Sequence, residues 1–360
     1  MCVMNMKKEF ATIITIIEQA RLNAFTAVNI ELINCYWQVG ESISTKVSNA
    51  NWGDKTVQQL ADYIQNEYPG LRGYNRLGLY RMKRFYETYN NSSFVSPAVI
   101  QMEKAKKRQP KIVSPVVTQL ASDIRQSILC QISWTHHLVI LSGTKTEAER
   151  DFYINLCIKE RYGKRELERQ ISSGLFERVV IGKQSLPPSK NELHQDIANS
   201  FKDNYVFEFL NLPEEHSEDD LQKALITQLK SFILELGKDF LFIGEEYRLQ
   251  VGNSDFYIDL LFYHRSLRCM AAFELKADKF KPEHLGQLNF YLEALDRDVK
   301  KPDENPSIGI LLCRSKDNAV VEYAMNRYLS PALVAEYQTK LPDKKLLQDR
   351  VRRLFDNNKD

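Results

Sequence analysis

Apolar residues recur at intervals of three and four along the first half of the chain, a period that predicts amphipathic helices. Between residues 7 and 46 this stripe includes Leu22, Phe25, Val28, Leu32, Tyr36 and Val39. Trp52-Gly53-Asp54 interrupts the stripe, and Asp54 can cap a second helix over about 55–67. That helix ends at Pro69-Gly70, because proline lacks the amide donor that would continue it. A third helix is predicted over about 75–89.

The periodic pattern is then lost and returns further along the chain. Asparagine, serine and proline punctuate residues 90–118, which predicts a loop insertion there. Beyond it, Glu147 to Arg161 is predicted to form one helix and residues 164–171 another, with Tyr162-Gly163 as the turn between them. This second pair repeats the layout of the first, again with a basic second helix.

The pattern changes at about residue 205 to helix, three strands, helix, strand and helix. The predicted bounds are a helix at 218–236, strands at 240–250, 256–263 and 268–276, a helix at 282–295, a strand at 308–313 and a helix at 317–328. We therefore expect an α/β C-terminal domain with a restriction-endonuclease-like αβββαβ core, preceded by a mostly α-helical N-terminal domain. The expected segments are a helical domain at 1–182, a linker at 183–204, the α/β domain at 205–335 and a C-terminal helical tail at 336–360.

Composition indicates a soluble globular protein of two or three domains. The 360 residues are 43% hydrophobic and 27% charged, and no stretch approaches the length of a membrane span. No signal peptide is evident, so we expect a cytoplasmic protein without membrane contact. The six cysteines contain no CxxC pair and match no zinc-ligand spacing, which predicts reduced core thiols.

Charge divides the chain into unlike halves. Residues 1–190 carry 26 Lys and Arg against 17 Asp and Glu, a net +9, whereas residues 191–360 carry 23 against 30, a net −7. A basic half predicts a module that binds a polyanion. The helix pair around Pro69-Gly70 resembles a helix-turn-helix. The residues predicted to contact nucleic acid are Arg72, Arg76, Arg81, Arg84, Lys164 and Arg165. The alternative is an ordinary amphipathic helix, with Leu77, Leu79, Met82 and Phe85 inward and the arginines in solvent.

Charged residues interrupt two apolar strands that are predicted to form a hairpin. Asp259 lies in the first strand, and Glu274 and Lys276 share one face of the second. If Tyr263 opposes Arg268, Asp259 is diagonal to Glu274; a shift of two residues would place the two carboxylates directly opposite each other. In either register they lie within roughly 5–8 Å of one another.

Two neighbouring carboxylates in an apolar sheet predict a site for a hard cation. The carbonyl oxygen of Leu275 would complete a platform of three oxygens. Mg²⁺, or Mn²⁺ in its place, could there polarise a phosphodiester and lower the pKa of a bound water, with Lys276 steadying the phosphate. A structural salt bridge among Asp259, Glu274 and Lys276 is the alternative.

The next helix adds Gln287 and Tyr291, which lie four residues apart and hence on one helical face. An Asp, then Glu-x-Lys, then Gln-x-x-x-Tyr within this order of elements resembles the PD-(D/E)xK nuclease superfamily. Within it, the chain is most similar to the YhcG-type nucleases, over about 205–330. The layout Tyr36-Trp37, Gly40, Trp52-Gly53 and Tyr68-Pro69-Gly70 also resembles the helical N-terminal domain of that family.

The resemblance implies a Mg²⁺-dependent deoxyribonuclease with Asp259 and Glu274 as metal ligands, Lys276 as a catalytic residue, and Gln287 and Tyr291 in support. In that superfamily an upstream helix often contributes a glutamate, and Glu235 is our candidate. Ile258 stands where the superfamily has proline before the aspartate, and Asp255 is a substitute ligand.

The sequence is compatible with three hypotheses about function. The first is the DNA-cutting enzyme, acting alone or as a homo-oligomer. The second is a DNA-binding or assembly subunit of a restriction-type complex with an inactive nuclease fold. The third is a helical scaffold for other proteins. The choice between DNA and RNA, endo- or exonuclease mode and sequence specificity are likewise open.

Overall fold

The computed structural model describes residues 2–49, 52–90, 92, 124–185, 200–325 and 331–357. The chain folds into two compact units, Met1–Glu168 and Arg169–Asp360. The boundary between them therefore comes before residue 182, where the helical domain was expected to end. The predicted insertion near 90–118 and most of the predicted linker at 183–204 lie outside the described residues.

The first unit is built from helices. In its described part these are α1 (Cys2–Ser48), α2 (Asp54–Glu67), α3 (Arg76–Tyr89), α4 (Trp134–Gly143) and α5 (Glu147–Glu160), with 3-10 turns at Ile124–Gln126 and Ile128–Gln131. One cluster of its core contains Ile43, Val57, Ala61, Leu79 and Met82. A glycine is required at Gly40, because a Cβ there would lie 2.2 Å from the carbonyl oxygen of Met82.

Helix ends in this unit are set by local chemistry. Gly53, not Asp54 as predicted, occupies the N-cap of α2, and Asp54 is its first helical residue. Asn75 caps α3 by accepting a hydrogen bond from the Gly78 amide. On α3 the residues Leu79, Met82 and Phe85 are buried, whereas Leu77, which was expected to face inward, is exposed.

The second unit is built on a mixed sheet of six described strands. They are β1 (Asn204–Val206), β2 (Phe240–Val251), β3 (Ser254–His264), β4 (Cys269–Lys279), β5 (Ile308–Ser315) and β6 (Ala332–Gln338). The strand order is β1-β6-β5-β4-β3-β2. Strands β2, β3 and β4 form an antiparallel meander, and β4, β5, β6 and β1 are parallel.

This unit has seven described α-helices, some of which pack on each face of the sheet. They are α6 (Lys164–Ser172, which begins in the first unit), α7 (Leu175–Ser185), α8 (Glu218–Thr227), α9 (Leu229–Leu236), α10 (His284–Ala294), α11 (Asn318–Met325) and α12 (Lys344–Asn357). One face packs α8 and α9 on the sheet through residues that include Leu221, Leu225, Phe232, Phe262 and Phe273. The opposite face packs α10 through residues that include Leu285, Leu288, Leu292, Ala272 and Leu311.

The architecture is that of the predicted class, with a helical N-terminal region and a C-terminal α/β domain, but two elements differ. The predicted helix at 218–236 is two helices, because Gln228 leaves the helical conformation between them. The predicted helical tail begins within strand β6, most of whose residues are buried, and becomes helical only at Lys344. No helix among the described residues has the length and apolar character needed to cross a membrane.

Candidate active site

The hairpin of β3 and β4 has the second of the two predicted registers. Its pairs run from His264↔Cys269 to Leu260↔Phe273, and the next step of the same register places Asp259 opposite Glu274. Beyond this point the two strands no longer pair with each other, although β3 continues along β2 and β4 along β5. The candidate site lies where they diverge.

Asp259 lies just beyond the last β3–β4 backbone pair, where its side chain replaces a backbone group as the partner of β4. Its Oδ2 accepts a hydrogen bond of 2.7 Å from the backbone amide of Leu275. Gln222 of α8 donates through Nε2 to the Asp259 carbonyl oxygen at 3.1 Å. Both the carboxylate and the backbone of Asp259 are therefore fixed. Burial raises the pKa of Asp259, although the Leu275 amide and Lys276 oppose the shift.

Glu274 is 1% exposed, and only one of its two carboxylate oxygens has a partner among the described residues. Its Oε1 lies 3.0 Å from Lys276 Nζ, whereas its buried Oε2 has no hydrogen-bond partner among the described residues. Burial, followed by the charge of Asp259, raises the pKa of Glu274 to about 7. A buried carboxylate oxygen without a partner is costly, and a cation between the two carboxylates would relieve that cost.

Lys276 connects Glu274 to a second glutamate that our sequence reasoning missed. Its Nζ lies 3.2 Å from Glu218 Oε2, at the start of α8. Burial lowers the pKa of Lys276, but Glu274 and Glu218 outweigh that effect, so the pKa is raised and the side chain stays protonated. The Ser217 capping box, in which Ser217 and Asp220 bond reciprocally, fixes the helix start that presents Glu218.

Glu235, our candidate for the helix-borne glutamate, belongs to a different cluster. Its carboxylate is bound by cationic and neutral donors: Arg169, Gln170, Arg178, Lys202 and the amide of Val206. Burial raises the pKa of Glu235, but Lys202, Arg178 and Arg169 outweigh it and lower the pKa to about 2. Because every strong interaction of this carboxylate is with that cluster, the expectation that Glu235 assists the active site is wrong.

Gln287 and Tyr291 meet as their spacing predicted. Gln287 Nε2 donates to the Tyr291 hydroxyl at 2.7 Å, and the tyrosine is buried. Burial raises the pKa of Tyr291, the Gln287 hydrogen bond opposes the shift, and Glu274 and Asp259 add to it, so the ring lies within the field of both carboxylates. Helix α10 approaches the sheet closely at Gly309, where a Cβ would lie 2.7 Å from Leu288 side-chain atoms.

Asp255, the substitute ligand, is turned to another partner. It forms an ion pair of 2.9 Å with Arg248 of β2. The structure thus brings together five of the predicted residues: Asp259, Glu274, Lys276, Gln287 and Tyr291. It adds Glu218 and Gln222, and it leaves out Asp255 and Glu235.

The donor set fits a hard divalent cation. The charge of Asp259 acts on Glu274, one Glu274 oxygen has no hydrogen-bond partner among the described residues, and the Leu275 amide donates to Asp259. Within the described residues no group of three or more His, Cys, Asp or Glu side chains is arranged to hold a metal by itself. Any ion here would therefore also depend on the Leu275 carbonyl oxygen, on water or on substrate oxygens, as Mg²⁺ sites commonly do.

The basic residues of the first unit are accessible. Arg72, Arg76, Arg81 and Arg84 are exposed, as are Lys164 and Arg165. Two of the arginines have contacts that orient them: Arg76 lies over the Tyr80 ring, with 5.6 Å to its centroid, and Arg84 donates to the Leu141 carbonyl at 2.6 Å. Lys164 lies 3.4 Å from Glu168. These positions are compatible with both predicted alternatives, nucleic-acid contact and a solvated helix face.

Similarity to known proteins extends over almost the whole chain. The family described as the YhcG PDDEXK nuclease domain matches residues 198–352, and the DUF1016 N-terminal domain matches residues 12–178. The Escherichia coli (strain K12) protein named "Putative nuclease YhcG" is 30% identical over 355 residues, covering 94% of this chain and 92% of that protein.

Two solved structures share a weaker similarity. A repair endonuclease from Pyrococcus abyssi is 14% identical over 36% of this chain and 49% of its own, with a TM-score of 0.24. The structure of EndoMS in its apo form is 17% identical over 37% of this chain and 49% of its own, also with a TM-score of 0.24. About half of each of these chains is matched.

Proposed function

This chain belongs to the YhcG family of PDDEXK nucleases, and we propose that it is a divalent-metal-dependent enzyme that hydrolyses DNA phosphodiester bonds. The supporting observation is the pair of opposed carboxylates, Asp259 and Glu274, with a buried Glu274 oxygen that lacks a partner among the described residues. A structural salt bridge would have satisfied both oxygens, as the cations around Glu235 do.

Asp259, Glu274 and the carbonyl oxygen of Leu275 are the groups that would hold the cation. When bound, Mg²⁺ or Mn²⁺ supplies positive charge that polarises the phosphodiester and stabilises the charge of the transition state. The Leu275 amide and Gln222 hold Asp259 in place, so this ligand needs no reorganisation before the reaction.

Lys276 has the role of a fixed positive charge at the scissile phosphate. Its Nζ retains its proton because Glu274 and Glu218 flank it, and it can donate a hydrogen bond to a non-bridging oxygen. Glu218 aligns the ammonium group from the other side. Tyr291, held by Gln287 and within the field of both carboxylates, supports the site from α10.

We assign nucleic-acid binding to the helical N-terminal unit. The supporting observations are the net charge of residues 1–190 and the exposure of the four arginines on and before α3. Arginine contacts to phosphate release counterions, so the affinity for DNA should fall steeply as salt increases. Replacing Arg76 and Arg81 with alanine should reduce that slope by roughly two, one for each lost contact. If the salt dependence of the DNA affinity is unchanged by the substitutions, or is flat in the unmodified protein, the helical N-terminal unit does not bind DNA through these arginines.

The deciding experiment is calorimetric titration of Mg²⁺ into the full chain and into Asp259→Asn, followed by incubation with plasmid DNA. We expect heat of binding and DNA cleavage with the unmodified chain, and neither with the variant. Mg²⁺ binding to neither protein, with DNA retained but uncut, would instead identify a DNA-binding or assembly subunit with an inactive nuclease fold. A parallel incubation with RNA distinguishes the two nucleic acids as substrate.

A further inference from the structure

The N-terminal part of α1 has no cover among the described residues. From residue 12 to residue 28 every side chain is exposed. Many of these side chains are large and apolar: Ile13, Ile14, Ile16, Ile17, Leu22, Phe25 and Val28, with Phe10 just before them. The remainder of the helix is anchored, beginning at Asn29, whose Nδ2 donates to the carbonyl oxygens of Cys130 and Ile132 at 2.8 and 3.1 Å.

A helix of this composition does not persist alone in water. In proteins, most helical stability comes from the packing of one helix face rather than from the intrinsic propensity of the residues. This segment contains isoleucine, valine and threonine, whose branched side chains lower helix propensity. The helix therefore depends on a surface that covers its apolar side.

The apolar side of this segment has the period of a coiled-coil seam. Its positions alternate by four and three residues, and we call them the α1 stripe: Phe10, Ile14, Ile17, Arg21, Ala24 and Val28. A spacing that averages 3.5 residues favours packing against another long helix rather than against a flat surface. Between residues 10 and 28 the opposite side carries Thr12, Thr15, Gln19, Asn23 and Thr26, flanked by Ile16 and Leu22, and no cation. Helices that lie on membranes instead have a lysine- and arginine-rich face.

We propose that the α1 stripe binds the same stripe of a second copy of this chain, as an antiparallel two-helix interface. In an antiparallel pair centred on Gln19, Phe10 faces Val28 of the second copy, Ile14 faces Ala24, and Ile17 faces Arg21. In the first two pairs a large side chain meets a smaller one, and in the third the aliphatic stem of Arg21 lies against Ile17. Each contact occurs twice because the interface is two-fold symmetric.

The single charge in the stripe selects the antiparallel orientation. In a parallel pair Arg21 would face the second copy's equivalent arginine, a repulsion between like charges within the seam. In the antiparallel pair Arg21 of each copy lies beside Glu18 of the other, so the two cations gain two carboxylate partners. Both side chains are exposed in the single chain and are accessible for this pairing.

Sedimentation equilibrium of the full chain over a range of concentrations tests the interface. Two isoleucines provide matched substitutions: Ile14 lies in the stripe and is 55% exposed, whereas Ile16 lies outside it and is 63% exposed. We expect the unmodified chain to dimerise, Ile14→Glu to raise the dimer dissociation constant at least about 100-fold, and Ile16→Glu to leave it nearly unchanged. Equal thermal unfolding of the two variants verifies that the anchored part of the protein is intact.

A charge exchange tests the orientation. Arg21→Glu and Glu18→Arg should each weaken the dimer by roughly tenfold, and the double variant should restore it, because the exchanged pair has the same attraction. A monomeric unmodified chain, an assembly larger than a dimer, or a dimer insensitive to Ile14→Glu would overturn the proposal. So would a double variant that fails to recover, or a monomer that binds to phosphatidylglycerol vesicles through this segment.

Discussion

Two buried glutamates in the second unit have opposite surroundings. Glu235 is completely buried and is bound by Arg169, Arg178 and Lys202, so its pKa is lowered to about 2. Glu274 is almost as deeply buried, but its nearest charges are Lys276 on one oxygen and the like-charged Asp259, and its pKa is raised to about 7. The negative charge of the carboxylate is more than balanced by cations at Glu235, and it is only partly balanced at Glu274.

This difference separates a structural carboxylate from a functional one. A buried carboxylate whose oxygens are all paired with cations has no oxygen left to bind a ligand. A buried charge that remains unsatisfied lowers stability and persists where a ligand supplies the missing interaction. The two glutamates therefore make contrasting predictions for activity, for stability, for metal binding and for pH.

The largest expected effect is on cleavage. Asp259→Asn and Lys276→Ala should each reduce DNA cleavage by roughly a thousandfold or more, because each removes charge at the reacting phosphate. Both variants should retain nearly the stability of the unmodified chain in urea. Cleavage at the normal rate by both variants would mean that the site has been misplaced. Unfolded variants would instead support a structural role for these residues, like that of Glu235.

Stability should respond to the two glutamates in opposite directions. Glu235→Gln leaves three cations without their carboxylate and should lower the free energy of unfolding by about 3–5 kcal/mol. The matched substitution Glu274→Gln, in the absence of metal at pH 8, should leave stability unchanged or raise it by about 1–2 kcal/mol, because it removes an undercompensated charge. Equal losses of stability in the two variants, measured by urea unfolding, would mean that the two glutamates do not differ in this way.

Mg²⁺ should stabilise the protein only where the metal ligands are intact. At a concentration one hundredfold above the dissociation constant, the ion should add about 2.7 kcal/mol to the free energy of unfolding. Glu274→Gln should abolish this gain, whereas the control Glu283→Gln, on an exposed side chain before α10, should preserve it. Because binding requires the deprotonated Glu274, the gain should also diminish as pH falls below about 7. A gain that persists in Glu274→Gln would place the ion elsewhere.

The smallest change per measured step is expected in the pH profile without metal. Glu274 has a folded pKa above its ordinary value of 4.5, so the folded state holds its proton more tightly. Its contribution should therefore lower stability as pH rises from about 4.5 to 7, by at most about 1.4 kcal/mol per pH unit. Glu235 has a folded pKa below 4.5, so its stabilisation is present above 4.5 and is lost as pH falls towards about 2. Urea unfolding at a series of pH values measures the free energy of unfolding. Glu274→Gln should flatten its dependence on pH only between about 4.5 and 7, and Glu235→Gln only between about 2 and 4.5.

Much of the α/β domain could be predicted from local pattern. Alternation along β3 and β4 placed Asp259, Glu274 and Lys276 on one side of a hairpin, and the four-residue spacing of Gln287 and Tyr291 predicted a contact that exists at 2.7 Å. The order of the central helices and strands was also predicted, because these segments have clear periods. Strand β6 was missed because it lies between two parallel partners, β5 and β1, and β1 comes from a distant part of the chain.

The helix-borne glutamate shows where local pattern fails. Glu218 and Glu235 stand at opposite ends of one predicted helix, and nothing in their neighbours along the chain distinguishes them. The break at Gln228, the packing of α8 on β4 and the ion cluster around Glu235 decide which of them meets Lys276. Arg169 and Arg178 come from a segment that was assigned to the helical domain, so their pairing with Glu235 could not be anticipated.

The sequence by itself determined most of the helices and strands, the pairing of carboxylates on a shared hairpin and the family to which the chain belongs. These features depend on periods and motifs that lie within about thirty residues of one another. Tertiary structure alone decided the register that sets Asp259 opposite Glu274, the approach of Glu218 and the opposite charge states of two buried glutamates. The pKa of a buried group depends on the number and sign of the charges around it, and those come from segments that only the fold brings together.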